Sequence, residues 1–285
     1  MCVKSNLTDE KKKWRDNKMT WIKTMFGTEK AIIGLLHLKA LPGDPFYEGD
    51  MKAVIKQAET DLEALQAGGV DGILITNEFS LPYEKKVSKV TVAAMARVVG
   101  AIEKKLKVPY GVEVIYDADA TIEVCAATGA DFSRCVFTGA FAGDLGIVDK
   151  DIAKTLRLRR ALGIQDLKLF YFVNSEGEVY LNDREWEDVT KTMIFNCHPE
   201  ALVVAGGMAG TSPESTLLSK VKKSAGNLPV FCGTGCKTDN IREIFEISDG
   251  AFVGTTFKKE GKFENGIDKN RVRTFMEKVH AIRGE

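Results

Sequence analysis

From Ala31 onward, short apolar runs alternate with longer amphipathic segments along the whole chain. The apolar runs are rich in Val, Ile and Phe, which is typical of strands buried in a parallel sheet. There are eight such runs: AIIGLLHL, VDGILIT, PYGVEVIY, DFSRCVF, DLKLFYFV, EALVVAG, LPVFCG and DGAFVG. An amphipathic segment follows each of them, so the pattern predicts successive βα units.

The amphipathic segments have helical spacing and similar ends. In the first of them the apolar positions that recur at helical intervals are Val54, Ala58, Leu62 and Leu65. The pair Gly68-Gly69 follows, and glycine is suited to end a helix in left-handed backbone. The end of this helix reads Gly69-Val70-Asp71, and Gly129-Ala130-Asp131 repeats the pattern further on.

Eight βα units that close on themselves form a TIM barrel, a fold that typically takes about 250 residues. We therefore predict an α/β protein with one (βα)8 barrel over residues 29–285 and an N-terminal extension over residues 1–28. An open doubly wound sheet is the alternative, but no G-x-G-x-x-G turn follows the first strand. Trp14, Trp21 and Phe26 could anchor a helical extension to the barrel floor or a neighbouring subunit; partial disorder is the alternative.

Charge and cysteine content narrow the class of protein. Forty basic and forty acidic residues balance, so no global field favours nucleic acid as a partner. No apolar run is long enough for a membrane span, and the charged N-terminus does not resemble a secretory signal. We expect a cytoplasmic protein. Its six scattered cysteines predict buried thiols rather than disulfides.

Glycine and threonine end the last predicted strands. Gly233-Thr234-Gly235 follows the seventh and Gly254-Thr255 follows the eighth, where many barrels bind phosphate. Glycine lets backbone N–H groups approach an oxyanion, and threonine hydroxyls add donors. Gly206-Gly207 after the sixth strand is a possible third wall. These turns predict a phosphorylated small-molecule ligand; simple tight turns are the alternative.

Polar residues interrupt or end the first four strands. They are His37 on the first, Asn77 and Glu78 after the second, Glu113 on the third with Asp117 at the same parity beyond it, and Arg134 on the fourth. Because a buried unpaired charge is costly, such residues form either structural pairs or a site.

Each of these residues has a catalytic and a structural interpretation. Glu113 or Asp117 is the candidate general base, with Arg134 as its orienting partner or a substrate clamp. The alternative is an ion pair of Glu113 and Arg134 in the barrel core. His37 is a candidate acid or base, or else a hydrogen-bonded structural histidine. The acidic residues and His37 match no tight metal motif, so we expect no cofactor; a divalent metal is the alternative.

Several segments resemble the BtpA/SgcQ family: GLLHLKALPGDP, TGAFAGDLGIV, LRLRRALG, GTGCKTDNI and DGAFVGTTFKKEGKFENGIDKNRV. The resemblance covers nearly the whole chain after Ala31 and implies a phosphate-binding TIM barrel. It also implies site roles for His37, Gly233, Gly235, Gly254, Thr255, Arg134, Asp144 and Arg157. Asn77 and Glu78 are assigned to substrate binding together with Asp144.

The chain departs from the family pattern at three strand exits. Asn77-Glu78 replaces Glu-Asn, Glu113 replaces an expected Asn, and YFVNSEG ends the fifth strand. We predict an enzyme, in a possible homo-oligomer, that acts on a sugar or nucleoside phosphate as an isomerase, epimerase or aldol-type lyase. The altered exits motivate the alternative of a non-catalytic assembly or regulatory factor on the same scaffold.

Overall fold

The computed structural model describes residues 20–208 and 210–285. Eight parallel strands close into a barrel, which confirms the predicted TIM barrel and excludes the open sheet. The barrel strands are β1 (Ala31–His37), β2 (Gly72–Thr76), β3 (Tyr110–Glu113), β4 (Phe132–Cys135), β7 (Lys168–Phe172), β9 (Ala201–Val204), β10 (Val230–Cys232) and β11 (Gly250–Val253). Around the barrel these strands follow the order β1-β11-β10-β9-β7-β4-β3-β2. Each lies within one of the eight predicted apolar runs.

Helices cover the outer face of the barrel, and the first of them lies across its floor. They are α1 (Thr20–Phe26), α2 (Met51–Gly68), α3 (Lys89–Ile102), α4 (Ala118–Thr128), α5 (Ile152–Ala161), α6 (Trp186–Cys197), α7 (Ser215–Ala225), α8 (Ile241–Ile247) and α9 (Lys269–Arg283). Gly69 ends α2 with φ 92° and Gly129 ends α4 with φ 70°. These left-handed turns are what the recurrent glycines predict.

A carboxylate joins several βα units at the barrel floor. Asp71, Asp131 and Asp249 each precede a strand, and each accepts a hydrogen bond from a backbone N–H at the start of the preceding strand, at 2.7, 3.0 and 2.8 Å. The otherwise orphan donor at that strand end is thereby satisfied. At Asp71 and Asp131 the recurrent Gly-x-Asp sequence therefore both ends a helix and links neighbouring strands, whereas Asp249 follows Ile-Ser and makes the link alone.

Helix α1 closes the floor of the barrel. The ring centroid of Trp21 lies 5.5 Å from that of Phe170, and Phe26 lies 5.5 Å from Phe132. Trp21 and Phe26 therefore pack against the barrel's interior residues, as the floor hypothesis for the extension requires. Trp14 lies outside the described residues.

Aromatic side chains fill the lower interior of the barrel. Phe170 lies at the centre, with ring centroids of Phe132, Phe231 and Phe252 at 5.7, 5.0 and 5.4 Å. This layer is fully or almost fully buried. It forms a dry base for the polar side chains above it, so charges there are poorly screened by water.

A small antiparallel sheet stands beside the mouth of the barrel and was not predicted. It pairs β6 (Gly146–Asp149), β5 (Ala140–Gly143) and β8 (Glu178–Tyr180) in that order. Its strands are only three or four residues long and come from the loops after β4 and β7. Unlike the barrel strands, these strands are mostly partly buried or exposed, so no continuous apolar run marks them in the sequence.

The described cysteines are buried free thiols: Cys125, Cys135, Cys197, Cys232 and Cys236. Cys2 lies outside the described ranges. Among the helices of residues 20–208 and 210–285, none is both long and apolar enough to cross a membrane.

Candidate active site

A cleft of about 380 Å³ opens at the carboxyl ends of the barrel strands. The predicted residues that line it are His37, Glu78, Arg134, Gly233, Thr234, Gly235, Gly254 and Thr255. A neighbouring lobe of about 260 Å³ adds Glu113. Residues far apart in the sequence thus meet at the end of the barrel where the fold places ligand sites.

Glu113 and Arg134 form a buried ion pair beneath the cleft. Nε and Nη2 of Arg134 lie 3.0 and 2.9 Å from the same carboxylate oxygen, Oε2, and the third nitrogen, Nη1, donates to the carbonyl of Gly233 at 3.2 Å. The guanidinium lies 5.0 and 4.7 Å from the ring centroids of Phe172 and Phe252. Burial raises the pKa of Glu113 to about 7, although Arg134 opposes this shift. The pair therefore has a structural role, and both side chains also line the cleft, where a ligand could contact them.

His37 at the end of β1 is buried and lines the cleft, yet neither of its ring nitrogens has a hydrogen-bond partner among the described residues. Its Nε2 lies 3.7 Å from Oε2 of Glu78. Burial lowers the pKa of His37 to about 4; Glu78 opposes the shift, and the positive charges of Lys258 and Arg134 add to it. A neutral imidazole at pH 7 keeps one donor and one acceptor for a ligand.

Lys258 is a second buried cation beside the cleft. Its Nζ lies 4.9 Å from the ring centroid of Phe79 and 5.2 Å from that of Phe263. Burial lowers the pKa of Lys258, against the attraction of Asp61, Glu78 and Glu264. Two aromatic faces thus partly replace water around the ammonium group. From the sequence, Lys258 and Lys237 could add positive charge to the predicted anion site, but a solvated lysine is the more common case; Lys258 is in fact buried.

Replacing Lys258 with methionine should raise the pKa of His37. The change removes a positive charge that disfavours imidazolium and keeps the aliphatic chain between the two rings. The pKa is read from the pH dependence of the imidazole NMR signals. The neighbouring exposed Lys259→Met is the matched control and should leave the His37 titration unchanged. If His37 titrates identically in all three proteins, Lys258 does not act on it.

The loops after β10 and β11 present unpaired backbone donors. Within residues 20–208 and 210–285, the N–H groups of Gly235, Cys236, Thr255 and Thr256 donate to no backbone carbonyl. Thr255 and Thr256 also open the short 3-10 turn Thr255–Phe257, whose first N–H groups have no partner within the turn. Such clustered donors suit an oxyanion.

Two cations stand beside these donors. Arg271 lines the cleft and is held by a hydrogen bond of 2.9 Å from its Nε to the carbonyl of Thr256. Lys237 lies in the loop after β10 and also lines the cleft. Sequence analysis missed Arg271, which belongs to the last family-like segment but starts α9, remote from any predicted strand exit.

Asp117 and Asn77 have structural roles and do not line the cleft, contrary to prediction. Asp117 caps α4 by accepting from Ala120 N at 3.0 Å and also accepts from Val87 N at 2.8 Å. The parity with Glu113 fails because β3 ends at Glu113 and Tyr116 turns the chain with φ 64°. The side-chain amide oxygen of Asn77, Oδ1, accepts from Ile115 N at 2.8 Å and so joins two loops.

Other predicted ligand residues also lie elsewhere. Asp144 is exposed in the β5–β6 turn, and Gly207 does not line the cleft. The N–H of Gly206 donates to the Thr234 hydroxyl at 2.7 Å, and that hydroxyl donates to the Thr211 carbonyl at 2.9 Å. These groups lock two loops together and have no donor left for phosphate. The N–H of Gly233 is likewise occupied, by the carbonyl of Val204 at 2.8 Å.

Glu176 is the acidic residue that sequence analysis missed. It lies in YFVNSEG, the strand exit singled out above as a departure, and it borders both lobes of the cleft. Burial raises the pKa of Glu176 to about 7; Arg134 opposes the shift, and Glu78 and Glu113 add to it. No group of three or more His, Cys, Asp or Glu within the described part of the chain is arranged to hold a metal ion.

Fold and cleft together define a TIM-barrel protein with its candidate site at the carboxyl ends of the strands. The chain belongs to the BtpA family, whose profile matches residues 28–281, and the resemblance noted in the sequence is thereby confirmed. It is 45% identical over 267 residues to the sgc region protein SgcQ of Escherichia coli, covering 93% of this chain and 100% of SgcQ. The photosystem I biogenesis protein BtpA of Synechocystis sp. is 31% identical, with 88% of each chain covered.

Solved structures support the fold assignment. (S)-3-O-geranylgeranylglyceryl phosphate synthase from Thermoplasma acidophilum, in complex with its substrate sn-glycerol-1-phosphate, superposes with a TM-score of 0.57. The match covers 92% of this chain and 97% of the synthase at 13% sequence identity. At this identity the likeness shows a shared barrel architecture.

Proposed function

We propose that this protein is an enzyme that binds a phosphorylated small metabolite in the cleft and moves a proton on it, as an isomerase, an epimerase or an aldol-type lyase. The observation that carries the proposal is that Gly235, Cys236, Thr255 and Thr256, whose backbone N–H groups donate to no backbone carbonyl, line one cleft together with Arg271. A phosphate dianion there would accept several charge-assisted hydrogen bonds. The glycerol phosphate bound by the synthase of the same fold agrees with this proposal.

The groups for proton transfer lie deeper in the cleft. Glu176 and Glu113 have pKa values raised to about 7, near the operating pH at which an acid or base works best. Glu176 has the freer carboxylate, because Glu113 is bound to Arg134. We assign Glu176 as the proton acceptor, with neutral His37 as the hydrogen-bond donor that stabilises charge developing on the substrate oxygen.

Arg271→Met tests the phosphate site. We expect the affinity for inorganic phosphate to fall by about tenfold or more, since a charge-assisted hydrogen bond to the ligand is lost. The measurement is the phosphate dependence of the melting temperature, which rises when a ligand binds the native state.

Arg273→Met is the matched control for this test. Arg273 is exposed on the same helix, donates to Asn270 at 2.9 Å and does not line the cleft. Equal phosphate affinity in both variants and the wild type would contradict the assignment of Arg271. Absence of any phosphate binding by the wild type would contradict the proposed function itself.

A non-catalytic assembly factor is the second candidate, and one surface favours it. Ile147 and Val179 are 62% and 71% exposed and both lie opposite Ala142 in the small sheet, which gives this sheet an apolar outer face. Exposed apolar faces mark interaction surfaces. The family relative named for photosystem I biogenesis agrees with such a role. If the wild type binds no phosphate or phosphate ester, this candidate takes precedence.

A further inference from the structure

The second lobe of the cleft differs from the first in its walls. Its volume of about 260 Å³ is bounded by carboxylates and by two tyrosine rings, those of Tyr83 and Tyr116, whose centroids lie 5.8 Å apart. Glu78, Arg134 and Glu176 border both lobes. Because the lobes share this border, a ligand held by its phosphate in the first lobe can reach the second with its other end.

The charges of this lobe are strongly biased. Three carboxylates line it, from Glu78, Glu113 and Glu176, against the single guanidinium of Arg134. That guanidinium is occupied by Glu113 and by two aromatic rings. The only other cations of the cleft, among the residues that line its two lobes, are Lys237 and Arg271 at the phosphate end. A second anionic group on the ligand would thus meet three carboxylates, and the residues that line this lobe offer it no cation without a partner.

Free hydrogen-bonding capacity lies at the junction of the lobes. His37 is 3% exposed, and neither ring nitrogen bonds to a described residue. The neutral ring faces a ligand with one donor and one acceptor. The phenols of Tyr83 and Tyr116 also stay neutral, because burial raises the pKa of each. The Tyr83 hydroxyl donates to the Glu78 carbonyl at 3.0 Å and keeps its oxygen as an acceptor, and the Tyr116 hydroxyl lies 3.5 Å from that of Ser175. Carboxylates, phenols and a neutral imidazole are together suited to alcohol hydroxyls, which both donate and accept.

We propose that this lobe is a head-group subsite for the hydroxyl-rich, uncharged end of a phosphorylated polyol or sugar, and that it rejects ligands with a second acidic group. Hydroxyls donate to the carboxylates of Glu78 and Glu176, and the ring faces of Tyr83 and Tyr116 pack against carbon atoms of the sugar. The carboxylates of the lobe repel a second acidic group on the ligand, and such repulsion contributes to specificity. This inference rests on the proposed phosphate site, since only an anchored phosphate directs the head group here.

The test compares ligands that share a phosphate and differ at the far end. Glucose 6-phosphate is paired with 6-phosphogluconate, and ribose 5-phosphate with 5-phosphoribonate, with inorganic phosphate as the common reference. Calorimetry on the full chain at pH 8 gives the affinity ratio within each pair. We expect at least one sugar phosphate to bind about tenfold or more tightly than its acid.

Glu176→Gln is expected to narrow that ratio by weakening the repulsion of the acid, and the exposed Glu123→Gln is the control that should leave it unchanged. The pH dependence of the affinity ratio tests the same repulsion in the wild type, without any substitution. At pH 6 the ratio should also narrow, because protons then bind carboxylates whose pKa values lie near 7. Both members of a pair carry the same phosphate, so its own titration cancels.

The outcomes separate the two proposals. Sugar acids that bind as tightly as their sugars, with inorganic phosphate still bound, overturn the head-group subsite and leave the phosphate site standing. A ratio that is the same at pH 6 and pH 8 also overturns it. If neither inorganic phosphate nor any ester binds, the proposed function fails and the subsite fails with it.

Discussion

Replacing Arg134 with methionine is expected to destabilise the protein by about 3–5 kcal/mol at pH 8, because it leaves the Glu113 carboxylate buried without its partner. The free energy of unfolding, measured by urea denaturation, checks this. The side chains of both residues are less than a tenth exposed, at 7% and 4%, so water cannot substitute for the lost guanidinium. A cost below about 1 kcal/mol would show that the pair is solvated.

The destabilisation should depend on pH with a defined sign. Arg134 lowers the pKa of Glu113, so its removal raises that pKa further above the value of about 7. A group whose pKa is raised in the folded state contributes stability below its unfolded pKa, about 4.3 for glutamate, and loses it as pH rises through the folded pKa. The loss of unfolding free energy in Arg134→Met should therefore be smaller at pH 5 than at pH 8.

A double variant separates charge from packing. Glu113→Leu combined with Arg134→Met replaces the ion pair with apolar side chains above the phenylalanine layer, a change that is often close to neutral. We expect it to recover most of the stability lost in the single variant and to remove its pH dependence. A double variant as unstable as Arg134→Met would point instead to the lost bond with the Gly233 carbonyl.

Replacing Gly235 with alanine is the second change with a large expected effect, about 3 kcal/mol of stability together with loss of phosphate binding. Gly235 has φ 67°, and a Cβ there would overlap the backbone of Thr211 and Ser212. The loop must move, which breaks the bond from the Ser212 hydroxyl to the Gly235 carbonyl, 2.6 Å long. Urea denaturation and the phosphate-dependent melting shift measure the two effects.

Gly207→Ala is the matched control for Gly235. It lies on the neighbouring loop, its φ is not in the left-handed region, and a Cβ there would meet no atom within 4 Å. Its stability should stay within about 0.5 kcal/mol of the wild type, with unchanged phosphate affinity. If Gly235→Ala behaves like Gly207→Ala, the loop is not held in the observed conformation, and its donors are not preorganised for phosphate.

Much of the fold could be predicted because it repeats. Each strand from Ala31–His37 to Gly250–Val253 is a nearly unbroken apolar run, since barrel strands are buried on both faces. The ends of α2 and α4 could be predicted because a helix end in left-handed backbone favours glycine, which is a local requirement. The β5-β6-β8 sheet was not predicted: β5 and β6 form a local hairpin, but β8 joins β5 from a loop more than thirty residues away, and no local pattern records that pairing.

The candidate site was only partly predictable. His37, Glu78, Glu113 and Arg134 were found because a polar residue within or after an apolar strand is conspicuous. Asp117 was equally conspicuous and yet caps a helix. Glu176, Arg271 and Lys258 lie in polar loop or helix sequence, where a functional residue and a solvated one look the same.

By itself the sequence determined the number and order of the βα units and the end of the barrel at which polar residues gather. Both follow from local periodicity and from the alternation of strand and helix. The tertiary structure alone decided which polar groups already have partners and which are left for a ligand. Thr234 and Gly206 satisfy each other across two loops, whereas His37 and the N–H of Gly235 remain free among the described residues. Hydrogen bonds between distant loops depend on the path of the whole chain, and no local pattern records it.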